Sequence, residues 1–544
     1  MSPQHHPVAE EAITESLAPP GVYLSAPEAE EQDRELVEVT SHAAVVRLAA
    51  RSDVVRVKGR YALVNTDRTP SQAMVEDLLF VRGVLDDAGI GYLLVRGNTR
   101  RPVLAVDWQD RKAMRRALVA ACQDEPFYSM TVDARGRSAL LVADGSLALS
   151  NKARILRLYR PRVEPEGGLT YGSSGGLQLE LWSWEGPDVV LPVENSVTRR
   201  ILPADEAVRG TVERYGHSWP TIETMFADHA SDIAFDIDIV FSWVDGNSPE
   251  YRAARAAQMK GVVVGEGDDS DARFRHVDEL RYALRSVYMF APWVRHIFLV
   301  TDSSAPDWLA DHPDVTIVRS EDHFRDSSVL PTHNSQAVES QLQHIEGLSE
   351  HFLYSNDDMF FGRPVGPEMF FSPGGVTKFV EATTRIGLGD NDLSRSGFEN
   401  AARVNRRLLH NRFGTMTTRH LEHCPAPLRR SVLHEMEDVF AAEFAATAAS
   451  RFRAKDNISV TNSLYHYYAL LTGSAVTQTD AQVKYVDTTS RSGLAVMDRL
   501  LRNRSQDFFC LNDGSVPEVG ADERATRVTE FLQRYFPIAA PWER

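Results

Sequence analysis

Three apolar runs of strand length end on carboxylates. DIDIVFSWV (236–244) runs into Asp245 and Gly246, HIFLV (296–300) into Asp302, and HFLYS (351–355) into Asn356, Asp357 and Asp358. Aspartates at several strand ends supply hard oxygen ligands that suit Mg²⁺ or Mn²⁺, above all a metal shared with substrate phosphates. Aspartate also follows strands merely because it starts turns. The Asp357-Asp358 pair exceeds that role, because it lies between two apolar triplets, 352–354 and 359–361, and charge in apolar company needs a partner.

Such a rim needs a sheet beneath it. Ile237, Ile239, Phe241 and Trp243 alternate at period two while Val240 and Val244 make the other face apolar, the pattern of a strand covered on both sides. VTIV (315–318) adds a further strand. Leu280, Ala283, Leu284 and Val287 mark a helix between the first two strands, and Val338, Leu342 and Ile345 mark another before the last, with Asn334 or Ser335 as its cap. Strand-helix-strand units of this kind build parallel sheets that bind ligands beyond the carboxyl ends of the strands. Later helices, expected over 428–449 and 458–471, pack against that sheet, and the acidic GEGDDS (265–270) reads as an exposed loop.

Residues 43–217 alternate short strands (62–64, 92–95, 103–106, 139–142, 177–184) with helices (72–88, 111–122), which predicts a smaller α+β accessory domain. Within it, 167–176, with its YGSSGG, reads as a turn-rich linker. Residues 1–42 read as a disordered acidic tail, and 236–536 as the catalytic domain. With 59 Lys and Arg against 76 Asp and Glu, the net charge of −17 excludes nucleic acid as the expected partner. Cys122, Cys424 and Cys510 form neither a disulfide framework nor a zinc pattern, which fits a reducing cytoplasm. No run of 18 apolar residues and no basic-then-apolar leader is present, so neither export nor spanning is expected. Peripheral attachment to the inner face of the membrane stays open.

The segments DIDIVFSWVDG (236–246), DELRYALRSVYMFAPWVRHIFLVTD (278–302), LPTHNSQAVESQLQHIEGLSEHFLYSNDDMFFGRPV (330–365), RFRAKDN (451–457) and FFCLND (508–513) resemble the conserved regions of the Stealth family. That family comprises bacterial capsular and exopolysaccharide sugar-phosphate transferases and the α/β precursor of animal N-acetylglucosamine-1-phosphotransferase. The resemblance spans about half of the chain. It implies an α/β, glycosyltransferase-A-like catalytic domain with a mostly parallel sheet and added C-terminal helices. The implied activity moves a sugar 1-phosphate from a nucleotide sugar, UDP-N-acetylhexosamine or similar, to a glycan hydroxyl, making a phosphodiester in capsule or exopolysaccharide synthesis.

By motif position the resemblance assigns catalysis to Glu339, Asp358, His423 and Arg453. A second histidine of the animal enzymes falls on Ala426 here. Asp357, Asp358 and Asp513 are the expected ligands of Mg²⁺ or Mn²⁺. Arg453 can fork onto phosphate oxygens, His423 can exchange a proton with the acceptor or bind phosphate, and Glu339 can act as base or orient another group. Sequence does not separate these roles. Asp245, Gly246, Arg281, Arg285, Asn334 and Asn512 are expected substrate contacts, and Arg403, Arg406, Arg407 and Arg412 an expected basic groove for an anionic acceptor. Two other readings stand beside this one: ordinary metal-dependent glycosyl transfer, which releases nucleoside diphosphate, and a non-catalytic assembly scaffold.

Overall fold

In the computed structural model, which describes residues 43–132, 139–148, 150, 152–259, 277–514 and 517–544, the first apolar run forms β1 (Ile237–Ser242) at the centre of a five-stranded sheet. The tail and the GEGDDS loop lie outside the described residues. β2 (Ile297–Val300), β3 (Val315–Val318) and β4 (His351–Asn356) follow, and after a short β5 (Met359–Phe361) the edge strand β6 (Ala426–Arg429) completes the order β3-β2-β1-β4-β6. The first four run parallel, and β6 is antiparallel to β4. This is the mostly parallel α/β arrangement expected.

The two apolar faces of β1 explain its central place. Ile237, Ile239, Phe241 and Trp243 join one core with Leu280, Ala283, Leu284 and Val287 of helix α1 (Glu279–Phe290). Val240 faces a second core, shared with Phe352 and Tyr354 of β4 and with Leu433 and Met436 of a later helix. A smaller sheet, β5-β8-β7, is built from β7 (Val483–Asp487) and β8 (Phe508–Asn512), and it carries the late FFCLND motif alongside the Asp357-Asp358 turn.

Three expected helices differ from their sequence patterns. The one before β4 stops early: α2 (Ser335–Glu339) gives way to a tight turn at Leu342–His344, where the Ser340 hydroxyl donates to the Ala337 carbonyl and the Gln341 and Gln343 amides bond Ser340 O. Side-chain bonds of this type compete with the helical ladder. The run at 428–449 opens in β6 and then divides, after a long α3 (Gly397–Phe413), into α4 (Arg430–Val439) and α5 (Ala441–Ala448), with Phe440 at φ −117° between them. The run at 458–471 begins as a π-helical turn, Val460–Leu464, before α6 (Tyr465–Leu471).

The accessory unit is a mixed sheet whose long central strand, Leu177–Glu185, pairs parallel with Val103–Asp107 and antiparallel with Ile155–Tyr159, a strand the sequence reading lacked. Helices Pro70–Asp87, closed by a Thr69 capping box, and Arg111–Ala121 cover it. The expected boundary at 217 falls on the first residue of a hairpin strand, His217–Ile222, whose Trp219 is fully buried in this unit's core. Residues 167–176 are no free linker: Leu169 is buried in the catalytic core, and a Cβ on Gly167 would stand 2.0 Å from the Arg534 carbonyl oxygen.

The catalytic domain does not stop at 536. Beyond helices α7 (Arg491–Asn503) and α8 (Ala521–Tyr535), Ile538, Ala540 and Trp542 are buried in the core, and Glu543 takes Arg281 at 2.6 Å and Arg285 at 2.6 and 2.7 Å. These two arginines were expected on substrate. They are instead a clamp between α1 and the chain's last residues, with Arg285 also donating to Phe536 O. Glu543→Ala strands two largely desolvated guanidinium groups and is expected to cost about 3–5 kcal/mol, read as a fall in melting temperature, whereas Glu543→Gln keeps some of the hydrogen bonds and loses less.

Candidate active site

At the carboxyl end of β4 the chain turns through Asp357 and Asp358 into β5, and the parallel register sets this turn beside the ends of β1 and β2. Asp358 Oδ2 accepts Asn512 Nδ2 at 3.2 Å and the Cys510 thiol at 3.4 Å, both from β8. Its Oδ1 is buried with no hydrogen-bond partner. Desolvation, opposed by the Cys510 contact and reinforced by Glu279, pushes the Asp358 carboxyl up to about 6. Desolvation, then Asp358, then Glu279 raise Asp357 well above the usual carboxylate range. Glu279, 5% exposed at the first residue of α1, is therefore the third acid of the site. Nothing in the sequence distinguishes it from an ordinary acidic helix start.

Glu339 and Arg453 meet on the neighbouring flank. Glu339 is 3% exposed at the end of α2, and its Oε2 accepts the Thr461 hydroxyl at 2.6 Å from the π-helical turn. Burial raises its carboxyl, opposed by the Thr461 hydroxyl, the Arg453 charge and the hydroxyls of Ser335 and Tyr354. Arg453 Nη2 donates to Ser335 Oγ at 2.8 Å. Tyr354, buried on β4, is within electrostatic reach of Glu339, Arg453 and Asp357, and so joins this flank to the acidic turn. His423 approaches from the other side. Its ring lies edge-on to Tyr485, centroids 5.3 Å apart, and Tyr485 in turn lies near Cys510, Asp358, Asp487 and Asp513. Burial, with His420 nearby, lowers the His423 imidazole below its ordinary value and so keeps it neutral at pH 7.

The four expected catalytic residues are linked only through Tyr354, which senses Glu339, Arg453 and Asp357, and Tyr485, which lies against His423 and near Asp358, whereas several expected ligands have other partners. Asp513 Oδ1 is held by Arg524 at 2.5 Å and by the Thr488 hydroxyl at 2.7 Å. Among the described residues, no three-ligand group with donor atoms within 4.8 Å includes Asp357, Asp358 and Asp513. Asn512 orients Asp358. Asn334 is buried, capping α2 through Gln336 N and bonding Ser450 O and Asn457 Oδ1 at 3.0 and 2.9 Å. Asp245 caps its own turn through the backbone N–H groups of Asn247 and Ser248, Gly246 O accepts Arg252, and Asp302 holds Ser320. Of the expected basic groove, Arg403 and Arg406 are buried and donate to the carbonyls of Glu399 and Gly389, and Arg407 bonds Asn391. Long cationic side chains look alike in sequence whether they face solvent or a carbonyl.

A mostly parallel sheet with an acidic doublet on its carboxyl rim, an arginine held beside a buried glutamate and a neutral histidine opposite defines an α/β phosphotransferase. The conserved regions 1, 2, 3 and 4 of the Stealth protein match residues 235–262, 273–379, 422–470 and 498–544. The chain belongs to the Stealth family. It is 60% identical over 499 residues to exopolysaccharide phosphotransferase CpsY of Mycobacterium leprae (strain TN), covering 92% of each chain. It is 55% identical to the exopolysaccharide phosphotransferase of Nocardia farcinica (strain IFM 10152), over 87% of this chain and 88% of that one. Among solved structures, galactosyltransferase LgtC with donor and acceptor sugar analogs aligns over 56% of this chain and 96% of its own, at 12% identity and a TM-score of 0.28, a likeness that bears on neither substrate nor mechanism.

The crowded acids cost stability. A carboxyl raised from 3.8 to about 6 by the fold destabilises the metal-free protein above pH 6, and that penalty fades as pH falls from about 6 toward 3.8. Asp358→Asn is therefore expected to abolish activity and yet stabilise the metal-free protein by about 1–2 kcal/mol at pH 7. Melting curves at pH 7 and pH 4.5 check this, and the gain should shrink to about a third at the lower pH.

Proposed function

We propose that the protein transfers a sugar 1-phosphate from a nucleotide sugar to a glycan hydroxyl, forming the phosphodiester of a capsular or exopolysaccharide. The observation that carries this reading is the convergence of Asp357-Asp358, Glu339-Arg453 and His423 at one rim. The relatives' names support the polymer class.

The doublet fits a divalent ion, because Asp358 Oδ1 is buried without a hydrogen-bond partner, and desolvation with the nearby Glu279 charge raises both Asp357 and Asp358. Asp357 and Asp358 would hold Mg²⁺ or Mn²⁺, which when bound offsets the charge of the donor diphosphate. Cys510 and Asn512 fix the Asp358 carboxylate so that its other oxygen faces the donor side. Arg453, steered by Ser335 and the Glu339 charge, grips the transferring phosphoryl oxygens with its planar fork. His423, neutral at pH 7, accepts the proton of the acceptor hydroxyl as that oxygen attacks phosphorus. The bond from phosphorus to the nucleoside monophosphate oxygen breaks, and the monophosphate leaves with its electron pair.

Free thiols at Cys122, Cys424 and Cys510 agree with a cytoplasmic site, and no helix among the described residues is long and apolar enough to cross a membrane. A peripheral position at the inner face of the membrane fits an acceptor that grows there.

Incubation with Mg²⁺, a panel of nucleotide sugars and a glycan acceptor should release nucleoside monophosphate. Diphosphate would instead mark glycosyl transfer at the sugar carbon. His423→Ala should lower kcat by roughly 10²–10⁴-fold. In the wild type, kcat should rise with pH through the depressed histidine value, below 6.5, and this acid limb should disappear in the variant. Arg453→Lys keeps the charge but loses the fork, and should lower kcat by about 10²-fold with little change in stability.

A further inference from the structure

A cluster of two histidines and a glutamate lies away from the acidic rim. His434 and Glu437 stand three apart on α4, and His344 closes the turn that follows α2. Their ligand atoms all fall within 4.8 Å of one another, the one such group of three among the described residues. Glu437 Oε2 is 3.0 Å from His344 Nε2 and 4.0 Å from His434 Nδ1, and the two rings meet edge to face at 5.2 Å. A tetrahedral zinc with bonds of 2.0–2.2 Å spaces its ligands by roughly 3.4 Å. Only the His434 side chain, 46% exposed, needs to swing inward.

The carboxylate is held from behind as metal ligands are. Gln343, fully buried, donates Nε2 to the same Glu437 oxygen at 3.0 Å and also to Ser340 O, and its own Oε1 is buried with no partner. Two imidazoles this close do not both carry a proton cheaply, whereas two neutral imidazoles and a carboxylate are the donor set of zinc-class ions rather than of Mg²⁺. α4 starts at the amino edge of the sheet, where Arg430 N bonds Glu350 O, a strand's length from the Asp357-Asp358 turn.

We infer that His344, His434 and Glu437 bind Zn²⁺ or a similar borderline divalent cation, leaving a fourth position to solvent. The ion braces α4 against the turn behind Glu339, so its role is structural and separate from the ion of the acidic rim. The test uses full-length protein stripped with a chelator and titrated with Zn²⁺ under excess Mg²⁺, by calorimetry and thermal shift. One Zn²⁺ per chain and a higher melting temperature are expected. His434→Ala, at an exposed position, should weaken Zn²⁺ binding by about tenfold or more with an unchanged circular dichroism spectrum, and Glu437→Gln should do the same. Asp358→Asn should bind Zn²⁺ as the wild type does. Absence of binding, equal binding by His434→Ala, or loss of binding in Asp358→Asn would overturn the inference.

Discussion

Like charge forced together in a desolvated turn is the constraint around which the catalytic half is arranged. Burial and the Glu279 charge raise both Asp357 and Asp358, and the neighbouring elements hold them in place. Phe360 and Phe361 after the doublet and Phe508 and Phe509 on β8 are buried in one core, so the turn has little freedom to open and relieve the repulsion. Arg524 of α8 offsets part of it, lying 3.8 Å from Glu279 and 2.5 Å from Asp513. Asp513 thus serves the site through Arg524, a task its place in a late acidic motif does not reveal.

The second flank follows a different logic. Glu339 is enclosed almost completely, and what keeps it there is a set of hydroxyls from three elements, Ser335, Tyr354 and Thr461, with Arg453 as counter-charge. Thr461 reaches it because the chain makes a π turn at Val460–Leu464, and turns of that kind recur at functional sites. Burial raises the carboxyls on both flanks; like charge adds to it at the rim, whereas hydroxyls and Arg453 oppose it at Glu339.

The sheet was legible because its strands are apolar runs of the right length, and β1 through β4 fall on those runs. The family motifs were legible as a set, and the four matched regions contain them. What sequence did not reveal is what each polar side chain touches. Arg281 and Arg285 sit four apart, as a phosphate clamp would, but their partner is Glu543, more than 250 positions away. Asn334 reads equally as ligand or cap, and only the packing of 450–457 against it decides for the cap. The helix expected through 345 failed on Ser340 and Gln341, whose side chains rival the backbone ladder, and the strand at Ile155–Tyr159 was missed because Arg154, Arg157 and Arg160 interrupt its apolar pattern.

The clamp on Glu543 also bears on how the molecule reaches its native state. The clamp joins Arg281 to Glu543 across 262 positions, and Leu169 from the accessory unit belongs to the core that these residues border. Contacts of such sequence separation are slow to form, since loop entropy is lost before packing compensates for it. During synthesis β1 and α1 are made well before α8 and the residues beyond it, which cover part of the same core. Nascent chains of this enzyme should depend on chaperones chiefly over the stretch between β1 and α8, and the acidic site would be the last feature to assemble.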